Sequence, residues 1–318
     1  MIDTSELMEM IDRGISRLPL PDRLPGLYEP IRYTMNGGGK RLRPLLCLAT
    51  CQALGVYPEE ALNQALGVEL FHNFTLLHDD VMDRADSRRG RPTVHCKWND
   101  TTAILCGDTM LTLATQIVAK CPSDKLPSVL DIFNTTAIQI YEGQQMDMDF
   151  ESRSDVTVNE YMEMIRLKTS VLLGCACQMG ALMADASEAT VRQLNEFAVN
   201  LGLAFQLQDD YLDTFGDPAT FGKNTGGDIL NDKKTWLLIT AMQEAPDRID
   251  KWINAGRTQE KIDAVKAVYE ELRLPARIHE LIDSYAAAAL SALDMVNMSS
   301  ADHEWFASLT HNLSLREK

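Results

Sequence analysis

The sequence predicts an all-α protein, read as one domain over residues 1–318. Three observations carry that expectation. Long blocks keep apolar residues three and four apart, the spacing of a helix face. Alternating runs of Val, Ile, Thr and aromatic residues, which would signal strands, are nearly absent. Glycine and proline fall between the blocks. About a dozen helices are expected, several apolar nearly all round, as at the centre of a large bundle.

Taken in order, the chain opens with "MIDTSELMEMIDRGISRL", acids interleaved with apolar residues. It lacks the basic start and apolar block of a signal peptide. A Gly/Pro-punctuated loop follows at "MNGGGKRLRP". The first strongly periodic helix is "EEALNQALGVELFHNFTLLHDD", and "DSRRGRP" breaks the chain after it. Further helices are "TAILCGDTMLTLATQIVAK", "VNEYMEMIRLKTSVLLGCACQMGALMA" and "ATVRQLNEFAVNLGLAFQLQDDYLDTF". The last runs into the loop "FGDPATFGKNTGGD". Near the C-terminus, "YAAAALSALDMVNM" is Ala-rich and broken by Asp294. No stretch reaches the roughly 18–20 uninterrupted apolar residues of a membrane span. Tandem repeats and Ser- or Pro-rich linkers are not evident.

Composition narrows the function. The formal net charge of −16 argues against a nucleic-acid backbone or an anionic membrane as main partner. A small anion is still admissible, because a local basic cluster or a metal ion reverses the field inside a cleft. Seven cysteines without a paired framework point to reduced thiols and a cytoplasmic protein. They read as buried small hydrophobes, "CAC" at 175–177 among them.

Two acidic clusters stand out. "HDDVMD" places Asp79, Asp80 and Asp83 at the end of an apolar helical run. "QDDYLD" repeats the spacing with Asp209, Asp210 and Asp213. Carboxylates four apart share a helix face and repel by roughly 0.2–0.5 kcal/mol. At a helix C-terminus they also oppose the dipole. Two costs accepted twice call for a compensating cation. Oxygen-only ligands suit Mg²⁺, which takes one or two carboxylates and completes its shell with water and phosphate oxygens. No His or Cys stands at zinc-like spacing beside either cluster. The basic groups sit in or beside punctuated loops: Lys40 and Arg43 after Gly37–Gly39, Arg88 and Arg89 after the first cluster, and Lys223, Lys233 and Lys234 after the second. Such groups suit phosphate, and glycine lets backbone amides approach an anion closely.

With these pieces in hand, the sequence resembles the polyprenyl diphosphate synthases, the short-chain trans-prenyltransferases of the isoprenoid synthase fold. The matching pieces are "GGGKRLRP", "LLHDDVMDRADSRRGRPTVH", "LCGDTML", "EGQQMDMDF", "RLKTS" and "FQLQDDYLDTFGDPATFGKNTGGDILNDKKTW", in family order. The resemblance implies a large helical bundle around a central apolar cavity. It implies that an allylic diphosphate is ionised with Mg²⁺, three ions, held by the two aspartate motifs. The double bond of isopentenyl diphosphate then attacks the allylic cation. Carried over by motif, Asp79, Asp83 and Asp209 resemble the principal Mg²⁺ ligands, with Asp80 and Asp213 in support. Arg88, Lys168 and Lys223 resemble allylic-diphosphate contacts. Lys40, Arg43, His72 and Arg89 resemble isopentenyl-diphosphate contacts. Thr169, Gln206 and Lys233 resemble groups lining the reacting end. Members of the family are mostly homodimers, so a homodimer is expected.

Product length in this family is set largely four and five residues before the first motif, here Thr75 and Phe74. One aromatic at the fifth place, with no insertion in "DDVMD", resembles enzymes making twenty-carbon products; fifteen carbons is the neighbouring alternative. Phe71 is a second candidate floor. The tail "SLREK" lacks the basic tripeptide of some farnesyl-making members. A terpene cyclase of the same fold and a non-catalytic subunit of a heteromeric synthase are the competing readings. An intact second aspartate motif and "GGGKR" count against the first, and two intact acidic sets against the second.

Overall fold

The structure, a computed structural model, describes residues 2–216 and 225–314. Lys223 and the tail residues 315–318 lie outside that description. The chain is helical, as the periodicity requires. The helices are α1 (Thr4–Ser16), α2 (Pro25–Met35), α3 (Leu42–Ala53), α4 (Leu62–Met82), α5 (Val94–Lys97), α6 (Asp100–Val118), α7 (Leu126–Ser152) and α8 (Val158–Ile165). They continue with α9 (Val171–Met183), α10 (Glu188–Phe215), α11 (Gly227–Leu230), α12 (Trp236–Glu244), α13 (Pro246–Ile249), α14 (Gln259–Glu271), α15 (Leu274–Leu293) and α16 (Ser300–Ser314). A two-residue antiparallel ribbon, β1 (Ser87–Arg88) with β2 (Arg91–Pro92), forms where the sequence predicts only a loop.

The starts follow local chemistry. Asp3 accepts from the amides of Ser5 and Glu6 at the head of α1. Asn99 accepts from Thr102 at α6, and Thr235 from Leu238 at α12. Thr157 and Glu160 close a reciprocal capping box on α8. Each satisfies a donor that the first helical turn leaves unpaired.

The described residues form two compact units, 2–136, 175–194 and 297–302 in one and 137–174, 195–216, 225–296 and 303–314 in the other. In the first unit α4 is the central helix. Ala65, Val68, Leu70, Phe71 and Phe74 leave at most 4% of their surface exposed, so it is apolar on most faces, as expected. The Gln64 amide donates to Val118 O and ties the start of α4 to the end of α6. In the second unit the core gathers Tyr161, Met164, Leu207, Trp236, Leu237 and Ile278. Five cysteines are buried, Cys175 and Cys177 included, but Cys121 is half-buried and Cys96 exposed, because Cys96 lies on the short, mostly uncovered α5.

One predicted helix is not uniform. Within the block 158–184, Arg166–Ser170 forms a π-helical turn between α8 and α9. Such turns insert one residue into the α-helical ladder and re-aim the side chains they carry.

Candidate active site

Each aspartate motif has its own setting, one in each unit. In the first, Asp79 and Asp83 sit four apart at the end of α4, half-exposed and exposed, while Asp80 is buried. Consecutive helical residues point about 100° apart, so Asp80 must face away from its neighbour. Its Oδ1 accepts from Arg88 Nε at 2.7 Å, and Arg88 NH2 lies 3.6 Å from Asp79 Oδ2. Arg88 on the β1–β2 ribbon is therefore the countercharge for two of the three acids. Burial still holds the Asp80 carboxyl above its ordinary value, although Arg88 pulls it down.

A basic recess adjoins this motif in the same unit. Arg43 NH1 lies 3.2 Å from His72 Nε2. A guanidinium only donates, so Nε2 accepts and the imidazole is neutral with its proton on Nδ1. Burial first, then Arg43, Arg89, Arg88 and Arg41, push the His72 pKa far down. Burial also lowers Arg43 to about 10, with Glu69 opposing and Arg89 adding to the shift. Arg89 donates to Gly38 O and lies flat on the glycine loop. Gly39, with φ at +122°, has no room for a Cβ: one would fall 2.7 Å from the Arg89 guanidinium. The loop itself is fixed from below. Arg41, left-handed at the head of α3, donates to buried Glu69 at 2.6 Å and to Met35 O at 2.6 Å. Asn73 donates to the same Glu69 oxygen at 2.9 Å. Lys40 is exposed at the loop's end.

The second motif repeats the division of labour. Asp209 and Asp213 are half-exposed on α10, and Asp210 is buried between them. The Tyr161 hydroxyl donates to Asp210 Oδ2, and Gln206 Nε2 donates to Oδ1 at 3.1 Å. Gln206 Oε1 in turn accepts from Thr169 Oγ1 at 3.1 Å. A chain of hydrogen bonds thus runs from Tyr161 on α8 through α10 to the π turn. Lys168, on the same turn, pairs with Asp147 of α7 at 2.6 Å. The turn is seated closely: a Cβ on Gly143 would meet Lys168 N at 2.4 Å. Asp213 Oδ2 accepts from the Asp228 amide at 2.8 Å. Burial first, then crowding by other acids, pushes the carboxyls of Asp210 and Asp228 up, and the Lys233 charge opposes this for both.

Most sequence candidates therefore fall into two groups. Lys40, Arg43, His72, Asp79, Asp80, Asp83, Arg88 and Arg89 gather in the first unit. Lys168, Thr169, Gln206, Asp209, Asp213 and Lys233 gather in the second. Lys234 does not join them; it is buried and its ammonium donates to Asp232 O. Sequence reasoning missed Arg41, Glu69, Asp147, Tyr161 and Asp228. Arg41, Asp147 and Asp228 lie inside the motif pieces "GGGKRLRP", "EGQQMDMDF" and the long "FQLQDD…KKTW" stretch, which is the available signal. Tyr161 reads as one more apolar-face aromatic, and its hydroxyl partner is 49 residues away.

The chain-length candidates lie on α4. Phe74 is buried, its ring 5.4 Å from Phe71 and edge-on to His78 at 4.9 Å. Phe71 meets Phe133 of α7 at 5.3 Å. Thr75 is half-buried and donates back to His72 O at 2.8 Å.

Among the described residues, no three His, Cys, Asp or Glu side chains are arranged to hold a metal by themselves. The outward-facing donors are pairs of carboxylates with cations nearby. That set fits an ion that keeps most of its shell for water and phosphate oxygens, as Mg²⁺ does, and not one needing a closed protein cage.

Comparison with known proteins gives the family. Residues 25–272 match the polyprenyl synthetase family. A geranylgeranyl diphosphate synthase of Methanosarcina mazei is 37% identical over 288 residues, covering 90% of this chain and 89% of its own. A geranylfarnesyl diphosphate synthase of Natronomonas pharaonis is 35% identical, covering 84% and 83%. The crystal structure of a geranylgeranyl pyrophosphate synthase superposes with a TM-score of 0.96 at 40% identity, over 100% of both chains. With the match spanning most of its length and its fold shared throughout, the chain belongs to the polyprenyl synthetase family of prenyl transferases.

Proposed function

We propose that the protein condenses isopentenyl diphosphate head-to-tail with an allylic diphosphate, giving a twenty-carbon diphosphate as its main product. The observation that carries this reading is the recess of Arg43, His72 and Arg89 at the glycine loop, built in part on α4, the helix that also carries Asp79 and ends at Asp83. Two cations and a neutral imidazole beside an anionic pair suit a diphosphate that must be held apart from a metal-bound one. Lys40, Arg43, His72 and Arg89 bind isopentenyl diphosphate. Asp79 and Asp83 in the first unit, and Asp209 and Asp213 in the second, would hold Mg²⁺, with Asp80 and Asp210 turned inward to fixed partners. Bound Mg²⁺ supplies charge neutralisation to the departing diphosphate. Arg88, Lys168 and Lys233 add fixed positive charge to that group, where it strengthens as the C–O bond breaks. Lys223 is assigned to the same set by motif alone. Thr169 and Gln206 orient Lys168 through the π turn. The apolar side chains of α4 keep water from the allylic cation, which would otherwise quench it. Attack by the isopentenyl double bond forms the new C–C bond, and the proton lost afterwards passes to the released diphosphate.

The product assignment rests on Phe74 as floor with Phe71 and Phe133 behind it, and on Thr75 being too small to block. The protein acts in the cytoplasm as a homodimer. Helix α6 is long and apolar enough to cross a membrane by length and composition, with only 39% of its best stretch buried. Its exposed residues include Ile104 and Leu105 but also Asp100, Asp108 and Gln116. A mixed face of that kind suits a second protein copy rather than lipid. Incubation with Mg²⁺, isopentenyl diphosphate and each allylic primer, with sizing of the products, tests the whole reading. Release of a cyclised hydrocarbon, or no condensation with any primer, would reject it.

A further inference from the structure

The segment from Gly226 to Thr235 carries two groups of the second site, Asp228 and Lys233, yet it contains only one turn of helix, α11. Its shape has to come from elsewhere. Asp232 adopts φ of +52°, a left-handed conformation that is uncommon for non-glycine residues although Asp tolerates it better than most. An ion pair holds the residue in place: Lys261 Nζ lies 2.7 Å from Asp232 Oδ1, with the Lys261 side chain 1% and the Asp232 side chain 18% exposed. The other carboxylate oxygen accepts from Asn254 N at 2.9 Å. One residue on, Lys233 N donates to Asp228 O at 3.0 Å, so the backbone that carries the Lys233 side chain is fixed on both sides. The neighbour of Lys261 grips the start of the same segment. Gly226, at φ +87°, lies against Ile262, whose Cδ1 would be 2.8 Å from a Cβ there. Two adjacent residues of α14 thus seat both ends of the segment.

A lysine buried this fully is costly unless paired, and breaking such a pair is more costly than replacing it. Nothing in the core requires an ammonium at this position. What the pair achieves is geometric: it selects one backbone conformation at Asp232. We infer that Lys261, acting through Asp232, is a positioning residue that holds Lys233 at the reacting end of the second site. The inference rests on the proposed function, in which Lys233 stabilises the departing diphosphate.

The test is a double-mutant cycle on the full-length enzyme, measuring kcat, both KM values and thermal midpoint. Lys261→Met is expected to lower kcat at least tenfold with both KM values within about twofold, and Lys261→Arg to recover a large part of it. In a Lys233→Ala background, Lys261→Met is expected to change kcat by less than about twofold, because the group it positions is gone. A purely structural role would lower the midpoint and leave the two effects independent. Equal losses in both backgrounds, or wild-type kcat in a folded Lys261→Met enzyme, would overturn the inference. If Lys261→Met does not fold, Asp232→Gly enters the same cycle. It removes the carboxylate and the rest of the side chain while the left-handed backbone stays accessible, so Asp232→Asn, which keeps the side-chain shape and removes only the charge, is measured beside it, with the same coupling to Lys233 expected of both. Lys233→Ala alone separates the two levels. If it is without effect, the role given to Lys233 fails and the inference with it. If it is severe while Lys261 is uncoupled, only the inference fails.

Discussion

At the scale of the residue, the doubled aspartates divide their work. In each motif the first and fifth positions face outward, and the second is turned inward to a fixed partner: Arg88 for Asp80, Tyr161 and Gln206 for Asp210. The outward group should govern chemistry. Asp79→Ala is expected to cut kcat by roughly 10²-fold or more, the cost of losing one group aimed at transition-state charge. Lys40→Ala should instead raise the KM for isopentenyl diphosphate roughly tenfold, as for loss of one charged hydrogen bond. Steady-state kinetics with both substrates varied will separate these, and a Lys40→Ala defect confined to the allylic substrate would reverse the assignment. His72 offers a pH signature. Its pKa is depressed in the fold, so below an unfolded value of about 6.5 the unfolded chain takes up a proton that the native site refuses. Its contribution to stability is therefore full above about pH 6.5 and declines as pH falls, by up to about 1.4 kcal/mol per unit. Urea midpoints at pH 7.5 and 5.5 should differ less for His72→Gln than for the parent; equal differences would mean that His72 is charged in the native state.

At the scale of the element, one local departure from a plain helix does the positioning. The π turn at Arg166–Ser170 puts Lys168 beside Asp147 and Thr169 beside Gln206, and Gly143 gives it room. Gly143→Ala should push the turn away and lower kcat about tenfold or more while circular dichroism stays helical. Unchanged kcat would show that the turn tolerates displacement. The proposed product floor, Phe74, lies on helix α4. Phe74→Ala should lengthen the products beyond the parent limit, and Thr75→Phe should shorten them toward fifteen carbons. Both should keep the first condensation, since neither side chain is assigned to a diphosphate and Thr75 bonds only the backbone oxygen of His72. If chromatography of the Phe74→Ala products shows the parent distribution, Phe71 becomes the floor to test, because its ring lies between Phe74 and Phe133.

At the scale of the whole molecule, exposed apolar side chains on two helices ask for a cover. Ile104 and Leu105 of α6 and Ile138, Tyr141 and Met148 of α7 are at least 40% exposed. Closed twofold dimers are the commonest way to bury such faces. Light scattering at micromolar concentration should return twice the chain mass of 35.5 kDa. A value at the chain mass would leave α6 and α7 without an explanation.

Much of this was legible in the sequence. Helical class follows from apolar spacing, because a three-and-four pattern buries a face only in a helix. The carboxylate pairs follow from i and i+4 spacing, which fixes a shared face whatever the surroundings. The family could be read from ordered motif pieces. Tertiary structure alone decided the rest, because it depends on partners distant along the chain. Which aspartate of each motif turns inward is set by Arg88 on a ribbon that local patterning shows only as a loop, and by Tyr161, 49 residues before Asp210. The π turn arises where Gly143 admits a backbone approach that no helix propensity encodes. Lys261 looks like any surface lysine on an amphipathic helix until the fold closes over it and Asp232. Short-range periodicity sets which face a residue occupies; only the packed chain sets what that face meets.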